Sequence, residues 1–203
     1  MGNEVNCVAR IAGKRQAGKA LLETSELVFR AAQCRLKIPF AAMRSVTAAR
    51  GELRIESPEG TTVLEVGELA QKWRQKILHP KTRIEKLGVH AGTRVALLGE
   101  AEPAFIRELR ESRADIASGG AGRDSELTFL FVENQRGLGK VSKIAPSLKG
   151  AAGLWIVYPK GKKEISEGEV IRAGRSAGFK DIKVVGFSPS HTALKFVIPV
   201  GRR

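Results

Sequence analysis

Apolar and polar residues alternate along most of the first 66 positions, and turn residues break the alternation at short intervals. Val5, Cys7, Ala9 and Ile11 open with the period of a half-buried strand. Gly13 to Lys19 reads as a turn. Residues 20–24 and 26–30 then flank Ser25 as a tight hairpin, and Leu36, Ile38 and Phe40 alternate in a fourth strand. Residues 43–49, 52–56 and 62–66 give three more, separated by Gly51 and by the turn signal Ser57-Pro58-Glu59-Gly60. The period then lengthens. Leu69, Trp73 and Ile77 fall four apart on one helical face, with Glu68 and Lys76 placed to suit the helix dipole. Pro80 cannot continue that helix, so a boundary is expected there, dividing residues 1–79 from 80–203.

Beyond the boundary the pattern changes to longer apolar runs between helical stretches. Residues 94–98 predict a strand, and Pro103 opens a short helix carrying Phe105, Ile106 and Leu109. Residues 114–117 predict a second strand, followed by the glycine-rich stretch 118–123. Residues 127–132 predict a buried strand, and a basic helix is expected over about 138–148, interrupted at Pro146. Leu154 to Tyr158 is apolar without interruption, as in a strand covered on both faces, and Pro159 ends it. A helix over 168–177 and a hairpin of 181–185 with 192–197 close the chain. The fold class expected is α+β in two domains: a seven-stranded β-barrel with a C-terminal helix, then an α/β sheet ending in an antiparallel hairpin.

Open α/β sheets bind ligands outside the carboxyl ends of their strands. Glu133, Asn134 and Lys160 stand just past two such ends and are expected to converge there as a ligand-binding group. Other chemistry is thin. His79, His90 and His191 lack ligand spacing, so no metal is expected. Ser190, His191 and Thr192 include a hydroxyl and a base, but neighbours in an extended strand point to opposite faces.

Composition sharpens this only in part. With 42% hydrophobic and 28% charged residues the chain is that of a globular protein. No apolar run approaches the ~18 residues of a membrane helix. No signal peptide is visible, Asn6 argues against myristoylation at Gly2, and Cys7 and Cys34 lack redox spacing, so a cytoplasmic location with reduced thiols is expected. The net charge of +14 is the stronger datum. Seven basic residues and no acidic one lie between Asn134 and Lys163, among them Arg136, Lys140 and Lys143. Such a field favours an anionic ligand, an acidic protein partner or weak, nonspecific nucleic-acid binding. Lys14, Arg15 and Lys19 extend the set of anion-binding or partner-binding candidates. Gly13 to Lys19 even fits the spacing of a phosphate-binding loop, but Ala20 stands where that loop needs a metal-binding hydroxyl.

Seven strands closed by one amphipathic helix resemble the PH-like and GRAM-like domains of bacteria, notably in Leu27-Val28-Phe29-Arg30, Ile38-Pro39-Phe40 and Gly51-Glu52-Leu53. That resemblance implies a barrel with Trp73 plugging one end, and basic residues on the first inter-strand loop. The second half is similar in topology to a class I methyltransferase. It lacks the glycine-rich loop after the first strand, where Gly99-Glu100-Ala101-Glu102-Pro103 stands instead, and the acid that would end the second strand. A closer resemblance, over 84–200, is to a bacterial Rossmann-like family of uncharacterised activity. Leu154-Trp155-Ile156-Val157-Tyr158-Pro159-Lys160-Gly161 and Thr192-Ala193-Leu194-Lys195-Phe196 carry it. It implies a fold and no activity. The expectation is a non-catalytic binding or adaptor protein without a cofactor; the alternative is a divergent methyltransferase-like enzyme.

Overall fold

The computed structural model describes residues 3–117 and 124–202, so the glycine-rich stretch 118–123 lies outside the described residues. The chain divides into two compact units, Met1–Lys81 and Thr82–Arg203.

The first unit is a curled, seven-stranded antiparallel half-barrel. Its strands are β1 (Asn3–Ile11), β2 (Lys14–Leu22), β3 (Glu26–Ala31), β4 (Cys34–Pro39), β5 (Ser45–Ala49), β6 (Glu52–Ser57) and β7 (Gly60–Glu65). They lie in the order β4-β3-β2-β1-β7-β6-β5. Helix α1 (Leu69–Leu78) follows and sends Trp73 and Ile77 into the core, as the four-residue spacing predicts, together with Ala70, while Leu69 is only partly buried against it.

The expected turn over Gly13 to Lys19 is not there. β1 and β2 pair from Ile11 with Lys14 onward, across a two-residue turn. Ala12 and Gly13 both take positive φ, 48° and 78°, the geometry that keeps a tight hairpin in step with strand twist. Gly18, read as turn punctuation, is inside β2 because a Cβ there would overlap the Arg30 carbonyl and the Phe29 ring. Lys14, Arg15 and Lys19 are therefore strand residues rather than a loop. Alternation puts Arg15 and Lys19 on one face and Lys14 on the other. Arg15 pairs with Glu65 and Lys19 with Glu4, so two of the three charges are already partnered.

The second unit opens on α2 (Arg83–Leu87), in a segment whose pattern predicts only a connector. Five residues are too few to show a helical period, but Thr82 and Glu85 form a capping box and Gly88 ends the helix at φ 78°. Then come β8 (Arg94–Leu98), α3 (Pro103–Glu111), β9 (Asp115–Ile116), β10 (Leu127–Phe131), α4 (Gln135–Leu138) and α5 (Lys140–Ile144). The expected basic helix is thus broken into two short ones at Gly139. β11 (Gly153–Pro159), α6 (Glu167–Ser176), β12 (Lys180–Gly186) and β13 (His191–Val197) complete the unit. The sheet order is β12-β13-β11-β10-β8-β9, with β8 to β11 parallel and β13 antiparallel to both its neighbours.

Every residue of β11 is buried. Leu154, Ile156 and Tyr158 pack toward α5 and α6, while Trp155 and Val157 pack toward α2 and α3. Both faces are covered, which is why the run shows no alternation. α6 carries a glycine in mid-helix at a cost of about 1 kcal/mol relative to alanine, and the reason is steric. A Cβ on Gly174 would overlap the Phe196 ring. Gly174→Ala is therefore expected to destabilise the chain by about 1–3 kcal/mol through overpacking, despite alanine's helix propensity. Urea denaturation measures it; an unchanged midpoint would mean the ring has room to move. Among the described residues, no helix is long and apolar enough to cross a membrane.

Candidate functional site

A crevice of about 280 Å³ opens at the carboxyl ends of β8, β10 and β11. Gly99, at φ 89°, turns the chain directly after β8; a Cβ there would lie 2.6 Å from the Phe131 carbonyl oxygen. That close turn brings Glu100 and Glu102 to the crevice wall. Glu133 arrives from the end of β10. His191, the first residue of β13, arrives because antiparallel pairing sets it opposite Pro159. Phe131, Val157 and Phe187 supply the apolar floor, with the two phenyl rings edge-on at 5.7 Å.

The polar groups form one connected chain. His191 Nε2 lies 3.3 Å from Glu133 Oε1, and its Nδ1 lies 2.9 Å from Ser190 Oγ and 3.7 Å from Glu102 Oε1. Glu102 Oε2 accepts from Arg83 Nη1 at 3.0 Å. Burial pushes the Glu102 carboxyl up. Hydrogen bonds from Ser188 and Arg83, with the Arg83 and His191 charges, outweigh that and hold it below the usual glutamate range. Arg83 also grips Glu108 with two parallel bonds of 2.8 and 2.9 Å and stacks on the Phe187 and Phe105 rings. Its position is thereby fixed, and with it one wall of the crevice.

Of the residues expected to converge, only Glu133 lines the crevice. Lys160 instead donates from Nζ to the Ser188 carbonyl at 2.6 Å, and from its backbone N–H to the Ser190 carbonyl at 2.8 Å. The β11–β13 pairing carries it alongside the Ser188–Ser190 turn, where it acts as a clasp. Asn134 caps α4, accepting from the Gly137 N–H at 3.3 Å. Glu133 also pairs with Lys162, at 4.0 Å. Arg136, Lys140 and Lys143 are exposed on α4 and α5 and form no ion pair with another described residue.

His191, Glu100, Glu102 and Arg83 were missed by the pattern. Face alternation separated Ser190 from His191, but Ser190 belongs to the turn, where alternation does not apply, and its hydroxyl reaches the ring. Among the described residues, no three His, Cys, Asp or Glu side chains are placed to hold a metal ion.

No protein-family profile matches the sequence, and no curated protein is similar to it. Solved structures give distant likenesses of two kinds. Human N-acetylserotonin methyltransferase in complex with SAM is 12% identical over 64% of this chain and 55% of its own, with a TM-score of 0.43. The [4+2]-cyclase SpnF is 12% identical over 59% of this chain and 79% of its own, at 0.40. The N-terminal PH domain of the human ARAP2 protein is 12% identical over 50% of this chain and 90% of its own, at 0.34. Likenesses this remote say nothing about what the crevice binds.

Proposed function

We propose that the chain is a non-catalytic binding protein made of a PH-like unit and a Rossmann-like unit, and that the Rossmann-like crevice takes a small organic cation. What supports this reading is the charge on the crevice wall. Glu100, Glu102 and Glu133 meet there with His191, and among the described residues no lysine or arginine lines it. Glu102 is compensated by Arg83, whereas Glu133 has, besides the His191 ring nitrogen at 3.3 Å, only Lys162 at 4.0 Å among the described residues. Carboxylates beside phenyl rings suit an ammonium group, which gains from both. The anionic ligand expected at Lys160 gives way to this assignment. Arg136, Lys140 and Lys143 remain the surface for weak, salt-sensitive contact with polyanions.

The strand order β12-β13-β11-β10-β8-β9 favours a second reading, a divergent methyltransferase-like enzyme. Against it stand Glu100 and Glu102, whose carboxylates would face the carboxylate of S-adenosylmethionine. A thermal-shift panel of tetramethylammonium, benzylamine, S-adenosylmethionine and pyrophosphate separates the readings. A ligand present at 100 times its dissociation constant adds about 2.7 kcal/mol of stability. Stabilisation by the simple amines, and none by S-adenosylmethionine, is expected. Stabilisation by S-adenosylmethionine would favour the enzyme, and stabilisation by pyrophosphate alone would remove the cation assignment.

A further inference from the structure

Three cations stand side by side on the outward face of the first unit. Lys19 of β2 is directly opposite Arg30 of β3, which is directly opposite Arg35 of β4. Residues opposite each other in an antiparallel ladder share a face. The three therefore form a row across the sheet, roughly 10 Å long at ordinary strand spacing. All three are exposed. Like charges set opposite each other repel, so the row costs the free chain stability.

Elsewhere this face offsets such repulsion with carboxylates. Arg10 and Arg15 are also directly opposite, but Arg10 pairs with Glu52 and Arg15 with Glu65. Lys37 pairs with Glu26, and Arg54 with Glu56. Lys19 pairs with Glu4 of β1, the neighbour of β2 on the side away from Arg30. Arg30 and Arg35 form no hydrogen bond or ion pair among the described residues. Arg35 ends the row on the edge strand β4. Two exposed guanidinium groups are thus held together with no anion supplied by the sheet.

We propose that Arg30 and Arg35, with Lys19 beside them, bind a linear oligophosphate by its phosphoryl groups alone. The ligand supplies the missing negative charge, and each guanidinium can offer phosphoryl oxygens two parallel N–H donors. A phosphate chain is charged at every link, so it can lie along the row without matching a spacing. An extended acidic peptide places carboxylates of one face about 7 Å apart, wider than the strand spacing of about 4.8 Å. The next row on this face is Leu21, Val28 and Lys37, which offers no aromatic ring to a nucleotide base. The site belongs to the first unit and does not depend on what the crevice binds.

Inorganic tripolyphosphate serves as the probe, titrated calorimetrically into the 203-residue chain and into Arg30→Gln, Arg35→Gln and Arg54→Gln. Binding to the parent should weaken about ten-fold in each of the first two variants, which lose a charge-assisted hydrogen bond. Arg54→Gln removes the same charge from the same face, away from the row, and should bind like the parent. Arg30→Gln and Arg35→Gln should melt no lower than the parent, because each relieves the like-charge pair. ATP without magnesium should bind like tripolyphosphate. No binding to the parent, or equal weakening in all three variants, would overturn the proposal. So would a lower melting temperature in the first two, since the pair would then serve the fold. A clear preference for ATP, or hexaglutamate binding as tightly as tripolyphosphate, would remove the assignment to a phosphate chain.

Discussion

Arg83→Met is expected to lower the unfolding free energy by about 3 kcal/mol, the low end of what breaking a buried ion pair costs. The low end applies because Glu108 is open to solvent on one side, whereas Arg83 itself is 16% exposed. The substitution strips two carboxylates of their fork-shaped partner and removes a cation from two phenyl rings. Methionine fills some of the volume but none of the hydrogen bonds. Adding Glu102→Gln should recover part of the loss, since the residues belong to one network and their effects do not add. Urea denaturation of both variants measures this. A single mutant within about 0.5 kcal/mol of the parent, as for an ordinary surface site, would show that Arg83 does not hold the crevice wall.

Trp155→Ala should cost about 3–5 kcal/mol, the usual range for deleting a large aromatic side chain from a core. Trp155 is fully buried, stacks on Phe129 at 6.3 Å, and donates from Nε1 to the Leu87 carbonyl at 3.1 Å. That last bond ties the sheet to the C-terminal end of α2. Trp155→Phe separates the two contributions. It keeps a ring against Phe129 but leaves the Leu87 carbonyl unsatisfied, for about 1–3 kcal/mol. If the phenylalanine variant matched the alanine one, the hydrogen bond would outweigh the packing, contrary to the account.

How much of this could be read from the sequence depends on the distance over which the information is carried. The β3–β7 strands and α1 follow from local periodicity, and β10 and β11 from unbroken apolar runs, because each buries one face or both faces against a core. α2 escaped because a five-residue helix has no period to show, although its capping box at Thr82 and Glu85 was available as a signal. β2 was cut short because Gly18 looks like a turn until Arg30 and Phe29 are known to press against it.

The crevice was legible only as a location. That something would gather past β10 and β11 follows from the sheet. Which residues gather there depends on the register of β13 against β11, which brings His191 to Glu133 across 58 residues of chain. No local pattern carries a register of that kind. Lys160 was a reasonable expectation at the strand end, but the same register offers its amine a carbonyl at Ser188 instead.

The most direct measurement is calorimetric titration of benzylamine into the 203-residue chain and into its Glu133→Gln variant. A charge-assisted hydrogen bond is worth roughly 1.5–3 kcal/mol, which corresponds to about a ten- to hundred-fold change in affinity. Measurable binding to the parent, a weakening of that size in Glu133→Gln, and an unchanged melting temperature for the free variant are expected. Binding that is equal in the two proteins, or absent from both, would contradict the assignment of the crevice as a cation site.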